Sequence, residues 1–428
     1  MTAFLLILLA FLMLSSVPIF MCLVTPVAIS FALFSEIDLF VIIQTMLGGI
    51  DKFSLISVPF FILAANLMGE GGISKRLIRL SGVFMGRIPG GLGITTIVTC
   101  LFFGAISGSS PATVAAVGSI MYPALREKGY PKSYCLGVLA SAGSLGIIIP
   151  PSVTMIFYGT VTGVSVGTLF MTGIGAGLVY AGLFIVYTVY VALKHPEIER
   201  EENTTLHEKL VAIWKSVPGL GVPFIILGGI YGGFFTPTEA SAISVLYAIV
   251  IVLFVYREMT IKQVIDCIYR SAVVCVQLMI LTAGAAVFAW FLTFTGITAS
   301  LAKSAIALSS NKYVILLLIN FIVLIAGMFL DGASIMTILA PLFYPIALSV
   351  GIDPIHLGII IVVNCAIGMY TPPFGQNLFV STGIAKESIT TIARHAIPFI
   401  ILAIVALMLV TYIPDISLWL PKQLYGAW

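Results

Sequence analysis

The chain has 428 residues, of which 60% are hydrophobic and only 9% charged, with a formal net charge of +3. Apolar runs long enough to cross a bilayer recur from end to end, which excludes a soluble enzyme on a single anchor and gives no reason to expect nucleic acid as a partner. The six cysteines show no metal-ligand spacing, so neither a structural disulfide nor a cysteine-held metal site is expected.

An all-α polytopic membrane protein is the expected class. Residues 1–14 resemble a signal-peptide core, but no basic segment precedes them. The apolar run continues past Pro18 to Phe34, so they are expected to stay as membrane helix. Residues 3–17 and 18–34 read as a helix pair separated near Pro18. Residues 37–49 are amphipathic and too short to cross, whereas 54–70 cross. Residues 74–87 place Lys75, Arg76, Arg79 and Arg87 among apolar positions, which suits an interfacial helix. Residues 91–125 are apolar on both sides of a polar centre, Ser107-Gly108-Ser109-Ser110. Each arm is too short to span alone, so a re-entrant hairpin is expected. A helix broken at Pro150-Pro151 follows over 133–164, then a span at 168–193. Residues 194–217 are hydrophilic and form the expected linker.

The second half repeats this order. A helix pair is expected at 218–256, an amphipathic segment at 259–270 and a span at 272–294. A less apolar segment at 297–312 precedes a hairpin at 313–350 with its tip at 327–334. A broken helix at 354–384 and a span at 395–413 complete the half. Sliding the chain by 222 residues superposes the two halves. Tyr122-Pro123 falls on Tyr344-Pro345, Gly129 on Gly351, Gly146 on Gly368, Pro150-Pro151 on Pro372-Pro373, Phe157 on Phe379 and Thr160 on Thr382. Most of these matches are Pro or Gly. Shared helix breakers carry weight, because a break inside a bilayer is costly unless the freed backbone groups find partners. Paired broken helices in two halves point to a transporter with its site at the breaks.

Each half, 1–217 and 218–428, is thus expected to hold five transmembrane helices and one re-entrant hairpin. Five is odd, so the repeat is inverted. With both termini periplasmic, 16 of the 20 Lys and Arg residues fall on the cytoplasmic side, and only Lys52, Lys303, Lys312 and Lys422 fall outside.

At each break, carbonyls ending one half-helix lose their partners and amides starting the next point outward. The carbonyl ends suit Na⁺ and the amide ends suit an anion. A cation is expected between Ser107–Ser110 and the carbonyls of Gly146 and Ile149. The equivalent position in the second half lies between Gly327–Gly332 and the carbonyls of Gly368 and Thr371. Ser110-Pro111 also reads as an N-cap with Pro at the first helical position, a sequence that starts a helix anywhere. Asp331 is an acid inside an apolar run. It either supports a cation, carries a proton or caps a helix. Asn364, Gln376 and Asn377 beside the second break either bond a polar substrate or fix the unwound backbone. Ser109, Ser152 and Thr154 are the candidate substrate contacts from the first half. Glu239, in FFTPTEAS, is expected to cap a helix. No Lys or Arg falls within 91–125, 133–193, 313–385 or 395–421. An anionic substrate would therefore meet helix N-termini, hydroxyls and co-bound cations, which argues for ion-coupled symport.

Seven segments carry a family resemblance: LSSVPIF, GGISKRLIRL with RIPGGLG, GAISGSSPATVAAVGSIMYPAL, GSLGIIIPPSVTMIFYG, LIAGMFLDGASIMTILAPLFYPIALSVGIDP and IGMYTPPFGQNLFV. Over essentially its whole length the chain resembles the large membrane subunit of tripartite ATP-independent periplasmic (TRAP) transporters, the DctM-like family. The resemblance implies an elevator-type secondary transporter of the bacterial inner membrane, driven by Na⁺ with no organic cofactor. It implies a small four-helix membrane subunit and a periplasmic substrate-binding protein as partners. It also implies an organic acid as substrate: a C4-dicarboxylate, a sialic acid, a keto-sugar acid or a sulfonate. The family's first sodium site maps onto Ser107, Ser109, Ser110, Gly146, Ile149 and Pro151. Its second maps onto Gly327, Asp331, Gly332, Gly368, Thr371 and Pro373. Gly104-Ala105 stand where the family's first tip often carries a further small hydroxyl residue. The fold also resembles divalent-anion/sodium symporters, so a self-sufficient anion symporter is the first alternative and a channel the second. Asp331 has no second intramembrane acid and no His lies mid-span, so an enzyme is not expected.

Overall fold

A computed structural model describes all residues except 1, 16, 36, 86, 87, 200–204, 298, 299, 301, 302, 304–310, 427 and 428. Helices make up most of the described residues, and no strand occurs among them. The expected segment 297–312 lies largely outside the described residues, as do Arg87 and Arg200.

The first group of helices comprises α1 (Thr2–Leu14), α2 (Ile19–Phe34), α3 (Phe40–Ile50), α4 (Ser57–Glu70) and α5 (Ile73–Met85). To these the second half adds α13 (Leu206–Tyr231), α14 (Pro237–Val250) and α15 (Ile261–Phe294). Each of the last three starts at a capping box, in which Thr205 pairs with Glu208, Thr236 with Glu239 and Thr260 with Gln263. The expected cap role of Glu239 is the observed one: its carboxylate accepts from the Thr236 amide at 2.8 Å. Helix α13 begins inside the hydrophilic stretch and runs through residues 217 and 218.

Helix α15 corrects one expectation. The amphipathic segment 259–270 and the span 272–294 form one 34-residue helix. No Gly or Pro interrupts residues 261–283, and the change from polar to apolar surface at Arg270 does not itself stop a helix. At 1.5 Å per residue it is about 50 Å long, well beyond a hydrocarbon core of about 30 Å. Arg270 is tied to Glu70 at the end of α4 by two bonds of 2.6 and 2.7 Å.

The second group begins with the first hairpin: α6 (Gly91–Ser107), α7 (Ser110–Thr113), a π-turn (Val114–Gly118) and α8 (Ser119–Glu127). The first broken helix follows as α9 (Lys132–Ala142), α10 (Leu145–Ile148) and α11 (Val153–Thr162), bent by 42°. Helix α12 (Val166–Lys194) spans. The second hairpin is α16 (Lys312–Gly327) and α17 (Gly332–Ser349), and the second broken helix is α18 (Pro354–Gly368) and α19 (Gln376–Ala385). Helix α20 (Ile389–Tyr412) spans, and α21 (Asp415–Tyr425) packs along α12. The sequence pattern alone gives no element at α21.

Among the described residues, seven helices are long and apolar enough to cross a membrane, or eight if the bent pair counts as one span. Helices α1 and α2, with 13 and 16 residues, fall short of the roughly 20 needed. Conversely, α17 is long enough at 18 residues, although it reads as a hairpin arm. The multi-pass membrane class stands, while length alone does not return five spans per half.

Within each half, the hairpin meets the broken helix through glycine. A Cβ on Gly368 would lie 2.5 Å from both the Cα and the carbonyl oxygen of Gly327, and one on Gly104 would lie 2.9 Å from the Gly146 Cα. Backbone cannot retreat as a flexible side chain can. Gly368→Ala is therefore expected to destabilise the protein by about 1–3 kcal/mol, the usual range for an overpacked site. Gly182→Ala meets nothing within 4 Å and serves as the control. Melting temperatures in detergent check this, and equal values for the two variants would contradict the close approach.

Candidate functional site

Hairpin tips and helix breaks owe their geometry to missing donors. Pro150 and Pro151 carry no amide hydrogen, so the Gly146 and Ile147 carbonyls lose the helical donors four residues ahead. Pro372 and Pro373 do the same to Gly368 and Met369. In the second break those carbonyls are retaken: the Thr371 amide donates to Gly368 at 3.1 Å and the Asn377 amide to Met369 at 2.8 Å. Both Pro-Pro peptide bonds are cis.

At the first tip, Gly108 adopts a left-handed φ of 58°, and a Cβ there would lie 2.7 Å from the Pro151 carbonyl. The Ser109 carbonyl accepts from the Thr113 hydroxyl at 2.8 Å and from the Ser107 hydroxyl at 3.2 Å. A Cβ on Gly146 would lie 2.5 Å from the Thr113 hydroxyl and 2.7 Å from the Ser109 carbonyl. Oxygens of Ser107, Ser109 and Thr113 thus converge on the stretch where helix α10 has lost its donors. Hydroxyl and carbonyl oxygens are the ligand type that hard cations prefer. Thr113 was missed in the sequence, although its place three residues after Ser110 puts it on the tip's inner face. The helix start differs by one residue from expectation. Ser109, not Ser110, holds the cap position with extended dihedrals, and its side chain makes no cap bond.

At the second tip, the Asp331 carboxylate accepts from the Ala333 amide at 3.0 Å, from the Ser334 amide at 3.3 Å and from the Ser334 hydroxyl. It caps α17 and also faces the cavity described below. The Thr371 hydroxyl donates to the Ile367 carbonyl at 2.7 Å. The Gly375 amide reaches the Met328 carbonyl at 3.4 Å, tying break to tip.

Polar contacts also cross between halves. Asn377 lies 2.8–3.0 Å from the Ser110 hydroxyl and donates to the Ala140 carbonyl at 3.0 Å. A Cβ on Gly332 would lie 2.8 Å from the Thr154 hydroxyl. Each tip therefore rests on its own break through glycine and on the other half's break through a polar side chain.

A cavity of about 640 Å³ opens where these parts meet. One wall holds both tips, Ser107–Ala112 and Asp331–Ser334, with Thr154 and Gln376. The other wall belongs to the first helix group, α2, α4 and α15, and presents Asn66 and Gln277. Asp331 is the one ionisable side chain among the described residues that line it. Of the candidate substrate contacts, Ser109, Thr154 and Gln376 line the cavity. Three others turn elsewhere. Ser152 is buried and caps α11 by accepting from the Met155 amide. Asn377 joins the two halves, and Asn364 donates to Asn320, which in turn donates to Thr411. Asn66 and Gln277 were not singled out from the sequence. Their signal is a lone amide inside an apolar run.

A family model described as the tripartite ATP-independent periplasmic transporter, DctM component, matches residues 6–416. The chain is 42% identical over 374 residues to a C4-dicarboxylate TRAP transporter large permease protein DctM of Pseudomonas aeruginosa, covering 87% of each chain. It is 40% identical to an isethionate TRAP transporter permease protein DctMQ of Oleidesulfovibrio alaskensis, over 88% of this chain and 59% of that longer one. The crystal structure of the Alcanivorax borkumensis YdaH transporter superposes with a TM-score of 0.68, covering 95% of this chain and 97% of that one. Its 16% identity makes this a likeness of fold. The chain belongs to the DctM family of tripartite ATP-independent periplasmic transporters, a family of transport permeases and not of enzymes.

Proposed function

We propose that this chain imports a small organic acid anion by Na⁺-coupled elevator symport. In this reading the substrate arrives on a periplasmic binding protein, and a separate small four-helix membrane subunit is bound to the first helix group. The observation that carries the reading is the meeting of two hairpin tips and two broken helices at one cavity between the two groups. The tips bring hydroxyls and helix N-termini to a place without Lys or Arg, a setting in which an anion is held by amide dipoles and co-bound cations.

The second group, α6–α12 and α16–α21, is the moving body, and α1–α5 with α13–α15 is the static frame. The first Na⁺ would be held by Ser107, Ser109, Ser110, Gly146, Ile149 and Pro151, joined by Thr113. The second would be held by Gly327, Asp331, Gly332, Gly368, Thr371 and Pro373. Ser109, Thr154 and Gln376 face the substrate. The inverted repeat is supported by the 222-residue offset, which carries Ser110 onto Gly332, the two tip residues that each meet the other half's broken helix. The charge distribution supports periplasmic termini. The relatives named for a C4-dicarboxylate and for isethionate support a small organic acid or sulfonate as substrate.

Uptake by the reconstituted three-component system is expected to require a Na⁺ gradient. Proteoliposomes with Na⁺, K⁺ or choline outside at fixed pH test this, and equal uptake in all three would sink the reading. Uptake by the chain alone would mark a self-sufficient symporter instead.

Ser109→Ala and Asp331→Asn separate ion binding from capping. Asn caps as well as Asp, so the second variant is expected to keep its melting temperature. A hydrogen bond to a charged group contributes about 1.5–3 kcal/mol, so losing one ligand is expected to raise the half-saturating Na⁺ concentration roughly tenfold to a hundredfold. Wild-type Na⁺ dependence in both variants would reduce these residues to helix starts.

Crosslinking is expected to place the small subunit against α1–α5 or α13–α15. Crosslinks confined to residues 107–111 or 327–334 would overturn the division into frame and moving body.

A further inference from the structure

Away from the transport cavity, a second concave site of about 270 Å³ lies between the amphipathic helix α5 and the start of α13. Four basic side chains line it, Lys75, Arg76, Arg79 and Lys215, against a single acid, Glu258. That acid is already engaged. Arg76 pairs with Glu258 at 2.6 Å, donates to the Gly72 carbonyl at 3.0 Å and lies 3.7 Å over the Tyr256 ring. Arg76 is thereby fixed as part of the wall. Glu208, the acid whose carboxyl responds to Arg79, is held in the Thr205 cap. Lys75, Arg79 and Lys215 have no ion pair among the described residues, and all three are exposed. Lys75 and Arg79 stand four residues apart on one face of α5, pointing the same way.

The neighbourhood says what kind of anion fits. Lys215 is the last charged residue before the apolar run 216–231. Beside it α13 exposes Ile213, Trp214 and Val217, with Trp214 79% exposed. An exposed Trp next to Lys at the end of an apolar run marks the level of lipid headgroups. We propose that this pocket holds the phosphate of an anionic phospholipid, with Lys75, Arg79 and Lys215 on the phosphate oxygens and the acyl chains along the apolar face of α13. Basic pockets between helices at the membrane surface suit such headgroups. A free phosphate ion would meet the same three charges but has no use for the apolar flank. The lipid would bridge α5 to α13 and brace the first helix group from outside.

The test uses the full chain in detergent, with native mass spectrometry reading bound lipid after addition of phosphatidylglycerol or phosphatidylcholine. The variant is Lys75→Gln, Arg79→Gln and Lys215→Gln together, which keeps the side-chain stems. Its control is Lys194→Gln, Lys262→Gln and Arg394→Gln, which removes equal charge elsewhere. Wild type and control are expected to retain phosphatidylglycerol, and to bind it at least tenfold more tightly than phosphatidylcholine. The pocket variant is expected to lose at least tenfold of its phosphatidylglycerol affinity at an unchanged melting temperature. Equal binding of the two lipids to wild type would overturn the proposal. So would undiminished phosphatidylglycerol binding by the pocket variant, or an equal loss in the control. Displacement of the lipid by millimolar inorganic phosphate would overturn it in favour of a free-anion site.

Discussion

Hydrocarbon offers no partner to a free carbonyl or amide, and this structure opens its backbone at four places within apolar sequence. Everything around those openings follows from the need to satisfy them. Both Pro-Pro pairs delete donors, and both tips end one helix and start another within a few residues. The freed groups are met by protein: the Ser109 carbonyl by the Ser107 and Thr113 hydroxyls at the first tip, the Ala333 and Ser334 amides by the Asp331 carboxylate at the second, and the Gly368 and Met369 carbonyls by the Thr371 and Asn377 amides at the second break. Irregular backbone is tolerated at such depth when it is buried in protein or lines a cavity. Both conditions apply here.

Close approach is the second requirement, because a carbonyl is satisfied only by a donor within about 3 Å. Gly104 with Gly146, and Gly327 with Gly368, bring hairpin and broken helix into backbone contact that a methyl group would prevent. The contacts between halves then lock the four openings to each other. A shift at one tip must disturb the other half's break, since Ser110 rests on Asn377 and Gly332 on Thr154. The four openings are therefore linked into one unit.

The first helix group is built differently. Three of its helices, α13 to α15, start at capping boxes, and ion pairs of Arg270 with Glu70 and of Arg76 with Glu258 tie its parts together. It gives the cavity a wall of mostly apolar side chains with two amides, Asn66 and Gln277. One wall thus supplies the polar machinery of both halves, and the other a largely smooth surface against it.

The membrane class and the helix breaks at the two polar tips and the two Pro-Pro pairs were legible in the amino-acid sequence. They depend on run length, on proline's missing donor and on glycine's missing Cβ, all of which are local properties. The continuity of α15 and the docking of α21 along α12 were not legible. A change of surface polarity does not say whether a helix stops, and a short amphipathic tail does not name the surface that covers it. The roles of the polar side chains were decided only by tertiary packing. Ser152, Asn364 and Asn377 look in sequence like Thr154 and Gln376, since all five flank a Pro-Pro break. Their hydroxyls and amides separate into those that face the cavity and those that hold the core, because partners such as Ser110 for Asn377, 267 residues away, arrive from the other half of the chain.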